Sequence, residues 1–128
     1  MGYKSKFSQR YQYRLLVTKS FDVSPLAHPV VDTHCHMDVS FDDEQINPNV
    51  GQALANAASV GVTKVIQVGC DVTSSQWAAK TASEWDDVFA TVALHPNAAA
   101  HDPDLENSLA QIDKLAALPQ VRGLGETG

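Results

Sequence analysis

Residues 30–38, VVDTHCHMD, place two imidazoles two positions apart with an aspartate on either side. Alternate residues of an extended chain share a face. Asp32, His34 and His36 therefore point one way, and Thr33 and Cys35 the other. Neutral imidazole nitrogen is a good ligand for Zn²⁺, Mn²⁺ or Fe²⁺, and carboxylates suit Mg²⁺ and Mn²⁺. His34 and His36 are thus placed to share a divalent ion at a strand end. Asp32 or Asp38 could orient a ligating imidazole from behind. A single His near a turn would be an ordinary polar residue. The full D-x-H-x-H-x-D context favours a metal.

Two further groups fall at comparable places. His95, in ALHPN, ends an apolar run, where it could contact a substrate phosphate or donate a proton. Glu126, in RGLGETG, follows the last apolar run. Neighbouring glycines let such a carboxylate approach a metal closely, and one carboxylate can bridge two ions. Taken singly, each has a plainer reading, a strand-terminating His and a solvated loop acid. Their common position at strand ends supports the functional one, because parallel α/β folds gather catalytic groups there. Asp71 reads as a helix cap. Cys70 reads as a small buried side chain, since no neighbour obviously activates it as a nucleophile. Lys64 falls at the far end of its strand, and His28 and His101 at the surface.

The elements that must position these groups alternate. Strands are expected over residues 30–33, 62–69, 88–94 and 121–125, bounded by Gly and Pro signals. Between them come an Asp-rich loop over residues 37–47 and a helix opened by Asn47-Pro48 and stopped by Gly61. A second helix runs from about 72 to 85 behind Asp71. A third opens at Asp102-Pro103 and reaches about Leu118, with Leu105, Leu109, Ile112, Leu115 and Ala116 at helical spacing. This β-α-β-α-β-α-β pattern predicts parallel βαβ units, in either a doubly wound sheet or a (β/α)₈ barrel. A barrel needs about 250 residues. The 128 residues ending just after GETG are therefore expected to be the N-terminal half of one.

Composition narrows the partners. Of nine basic residues, Lys4, Lys6, Arg10, Arg14 and Lys19 precede residue 20, leaving the remainder strongly acidic against 15 Asp and Glu. That counts against extended duplex binding, which needs cations facing phosphates. Residues 1–28 read as a basic, poorly ordered extension, with a transit peptide as the alternative. Residues 29–128 read as the folded part. No secretory signal or long apolar run is visible, so a cytoplasmic protein with no membrane contact and reduced Cys35 and Cys70 is expected.

VVDTHCHMD, VIQVGCD, ALHPN and GLGETG, in this order, resemble the TatD family of metal-dependent hydrolases. The resemblance covers residues 30–128. It implies an amidohydrolase-type (β/α)₈ barrel with one or two divalent ions (Mg²⁺, Mn²⁺ or Zn²⁺) at its mouth. It implies phosphodiester hydrolysis, with DNA strand ends as substrate. By position it makes His34, His36 and Glu126 metal ligands and His95 the active-site histidine. It also implies two later histidines and an aspartate, on strands beyond residue 128, so this chain alone is expected to be weakly active or inactive. Thr127 stands where the family usually has an apolar residue. Two other readings remain: an amidohydrolase cleaving amide or ester bonds, and a non-catalytic half-barrel assembly module.

Overall fold

The computed structural model describes residues 23–38 and 49–128. Strand β1 (Val30–Cys35), β2 (Val62–Val68), β3 (Val88–Val92) and β4 (Val121–Leu124) form one sheet, all parallel, in the order β1-β2-β3-β4. Helices α1 (Val50–Ser59), α2 (Val72–Glu84), α3 (Pro96–Ala99) and α4 (Leu105–Ala116) lie between the strands. A doubly wound sheet reverses its strand order at a switch point. Here each strand is simply added beside the last, which is the winding of a (β/α)₈ barrel. Four consecutive strands of that architecture are present. Among the described residues, no helix is long and apolar enough to cross a membrane.

The core lies between the sheet and α2. Val65, Val88 and Ala90 share one sheet face and pack on Ala78 and Ala82. Residues of the other parity collect on the opposite face. There Lys64 Nζ and Arg122 Cζ lie 5.5 and 5.3 Å from the centre of the Phe89 ring. Lys64 also pairs with Asp87 at the start of β3, away from the strand ends that carry His34 and Glu126.

Local chemistry accounts for most element boundaries. The expected cap at Asn47 lies outside the described residues, as do positions 39–47 of the expected loop. Within the described residues the cap of α1 is Asn49, whose Oδ1 accepts the Gln52 N–H at 2.9 Å. Gly61 ends that turn with φ +97°, a conformation that suits glycine. The expected cap at Asp102 is also displaced. Asp102 Oδ1 accepts the Asp104 N–H at 2.8 Å, closing a turn around Pro103, and Asp104 caps α4. The short α3, capped by His95, was not expected from the sequence. Of the 28-residue extension, residues 1–22 fall outside the described part. Leu26 is docked, its N–H donating to Val60 O at 2.9 Å.

Asp71 caps α2 in a reciprocal box. Its Oδ1 accepts the Ser74 N–H at 2.7 Å, and Ser74 Oγ accepts the Asp71 N–H at 3.0 Å. Asp71→Ala is expected to cost about 1 kcal/mol, the usual worth of such a cap. A urea denaturation midpoint equal to that of the unaltered chain would contradict this.

Candidate metal centre

The site forms where β1 and β4 end. Asp32 Oδ1 accepts the backbone N–H of His34 at 3.0 Å, which fixes the strand end from its own side chain. The imidazoles of His34 and His36 then meet edge to face, with centroids 5.0 Å apart. Their Nε2 atoms lie 3.1 Å from each other. Glu126 Oε2 lies 3.4 Å from His34 Nε2 and 3.9 Å from His36 Nε2. Cys35 points the opposite way, its Sγ donating to Ile66 O at 3.4 Å. This is the alternation that β spacing predicts.

These three donor atoms fit a divalent ion. A circle through atoms separated by 3.1, 3.4 and 3.9 Å has a radius of about 2.0 Å, close to metal–nitrogen and metal–carboxylate bond lengths of about 2.0–2.2 Å. The donor set, two imidazoles and one carboxylate, suits Zn²⁺ or Mn²⁺. Among the described residues this trio is the one group of three such donors within ligand distance. An open cleft beside it is lined by Thr33, His34, Val68, Thr91, Glu126 and Thr127.

The end of β2 supplies no ligand, yet it holds both neighbours. Gly69 O accepts the Glu126 N–H at 3.2 Å, and Cys70 O accepts the His95 N–H at 2.7 Å. His95 Nδ1 accepts the Asn97 N–H at 3.2 Å, so the cap role leaves the ring proton of neutral His95 on Nε2. Nε2 faces the site, 3.9 Å from Glu126 Oε1. His95 is thus both a helix cap and a proton-bearing group beside the three donors.

Several residues sit otherwise than their motif suggests. Asp38, placed by the sequence behind an imidazole, instead accepts from Gln67 Nε2 at 2.6 Å. Asp32 contacts the His34 backbone rather than a ring. A Cβ added at Gly125 would meet nothing within 4 Å, so close approach does not explain that glycine. Cys70 is half-buried rather than fully buried, with Sγ 3.9 Å from Glu126 Oε2. Burial raises its thiol pKa, and Glu126, Asp38 and Asp71 push it in the same direction. Burial, with Asp32 and Asp38 adding, pushes the Cys35 thiol up to about 11. Neither cysteine is an activated nucleophile. His28 and His101 are exposed, as expected. Sequence reading passed over Gln67 and Ser75, whose signal is only a polar residue on an otherwise apolar face.

Comparison of the sequence with known proteins gives it a family. The family model described as TatD related DNase matches residues 31–128. A Mycobacterium tuberculosis (strain ATCC 25618 / H37Rv) protein named uncharacterized metal-dependent hydrolase TatD is 38% identical over 100 residues, which are 77% of this chain and 36% of that protein. A Bacillus subtilis (strain 168) protein named uncharacterized metal-dependent hydrolase YabD is 29% identical over 97 residues, 76% of this chain and 36% of that protein. The chain therefore spans about a third of the length of these relatives. Match and geometry together carry one conclusion: the chain belongs to the TatD family.

Proposed function

We propose that the chain carries part of a divalent-metal centre that hydrolyses phosphodiester bonds at DNA strand ends. The observation that carries this reading is the His34, His36 and Glu126 trio, with donor atoms spaced for one ion. The relatives' names support a metal-dependent hydrolase, and the family's description supports DNA as the substrate. His34 and His36 would hold the ion through Nε2, and Glu126 through one carboxylate oxygen, leaving the other free for a second ion. A bound divalent ion supplies Lewis acidity at a phosphoryl oxygen and makes water more acidic. His95 Nε2–H lies beside this trio, where it can donate a hydrogen bond to a phosphate oxygen or a proton to a leaving oxygen. The acidic balance beyond residue 20 suits a brief grip on a strand end better than binding along a duplex. The same reading places the protein in the cytoplasm, where the free thiols of Cys35 and Cys70 stay reduced.

With three ligands in hand, the 128-residue chain alone is expected to release nucleotides slowly or not at all. A chimera supplies the contrast: residues 1–128 joined to the remaining two thirds or so of the Mycobacterium relative. End-labelled single-stranded DNA with Mg²⁺ or Mn²⁺ should be shortened by the chimera. A folded, metal-loaded chimera that leaves DNA intact but cleaves amide or carboxylic ester substrates would replace this reading with the amidohydrolase one. Robust nuclease activity from the chain alone would overturn the expectation for the chain.

A further inference from the structure

Gln67 is the largest fully buried side chain described, at 0% exposure. It shares the helix-covered face of β2 with Val65, where aliphatic residues would ordinarily fill the space. An amide is costly to bury there unless its hydrogen bonds are made. Among the described residues, every hydrogen bond of its side chain runs to one short segment. Its Oε1 accepts the Met37 N–H at 2.8 Å, and Nε2 donates to Asp38 Oδ1 at 2.6 Å. Cys35 Sγ lies 3.8 Å from the same Oε1. Residues 35, 37 and 38 bracket His36.

The reason such a grip is needed lies in the ladder. Pairing of β1 with β2 is irregular between Asp32 and Cys35, and Cys35↔Gln67 is its last partner pair. Among the described residues no further strand pairing holds the backbone that carries His36. Each of the other functional groups is anchored through the main chain. The backbone N–H groups of Glu126 and His95 bond to the carbonyls of Gly69 and Cys70, and His34 is held by Asp32.

We propose that Gln67 is the positioning residue of His36: its amide takes over where the β1 ladder ends and holds the second imidazole in range of His34 and Glu126. The proposal rests on the metal reading above. Changing a partner that orients a ligand from outside the coordination shell typically weakens metal affinity about 10–100-fold. Gln67→Leu, close in size but without hydrogen bonds, is expected to weaken Mn²⁺ binding by about that factor.

Mn²⁺ binding to the full chain is followed by electron paramagnetic resonance titration, with thermal unfolding recorded with and without the ion. The unaltered chain, His36→Ala, Gln67→Leu and Gln67→Met are compared. Weaker Mn²⁺ binding by Gln67→Leu, with a smaller metal-induced rise in Tm, supports the positioning role. A lower Tm with an unchanged Mn²⁺ affinity and an unchanged metal-induced rise means that Gln67 serves packing alone, and overturns it. If Gln67→Leu does not fold, the more adaptable Gln67→Met gives the same reading. If neither folds, Gln67 belongs to the fold itself and the proposal is overturned. If the unaltered chain and His36→Ala bind Mn²⁺ equally, the metal reading fails first and takes this one with it, a pattern distinct from failure at Gln67 alone.

Discussion

His34→Ala is expected to reduce the affinity of the chain for Mn²⁺ or Zn²⁺ by well over the 10–100-fold or so that orienting partners cost, because in the proposed centre it deletes a ligand outright. The two donors left, His36 Nε2 and Glu126 Oε2, are 3.9 Å apart and define no third direction. His36→Ala and Glu126→Ala should act similarly. The His34 side chain is 53% exposed, so its removal opens no cavity. Loss of affinity should therefore come with an unchanged Tm of the metal-free chain. Isothermal titration calorimetry separates the outcomes: an unchanged dissociation constant in all three variants would remove the metal centre from this site.

Gly69→Ala is the second large effect, and it acts through packing. A Cβ at Gly69 would fall on Ser75 Oγ, 2.6 Å from Ser75 Cα and 2.9 Å from Ser75 N. These are backbone atoms of the first turn of α2, so the helix must retreat. Ser75 is fully buried, and its Oγ lies 3.2 Å from Ala93 N and 3.3 Å from Ala93 O. Retreat of α2 would break those contacts and disturb the Gly69 and Cys70 carbonyls that hold Glu126 and His95. Overpacking of this kind costs about 1–3 kcal/mol, and more where backbone must move. The urea midpoint should fall, and divalent affinity should fall with it. An alanine variant as stable as the unaltered chain would show that α2 can yield at no cost. Gly125→Ala provides the contrast, since its added Cβ meets open space.

Much of this was legible without coordinates, because it is local. A β-branched run between Gly61 and Gly69 favours a strand from its own residues, and Asp71 caps a helix with atoms three residues away. The H-x-H register follows from the two-residue period of a strand, so His34 and His36 were paired by sequence alone. Caps chosen among close alternatives were less legible. Asp102 and Asp104 offer the same chemistry, and Pro103 between them sends Asp102 into a turn instead of a helix cap.

Other features needed the tertiary structure, because they depend on where distant segments meet. The alternating pattern allowed two windings, and only hydrogen bonding between neighbouring strands decided the consecutive order. Sequence marks Glu126 only by its place after an apolar run between glycines, and it is β4 that brings it within 3.4 Å of His34, ninety-odd residues earlier in the chain. Gln67 drew no notice in the sequence, and Gly69 read as a strand boundary. The first proves to be a clamp on the His36 segment and the second a point of contact with α2. Sequence by itself therefore determined the strands, the main helices and the two imidazoles, all set by interactions within a few residues. Sequence also marked Glu126 and His95 as strand-end candidates, but the fold decided their distances, the capping role of His95 and the buried amide of Gln67, because these depend on long-range packing that no local pattern encodes.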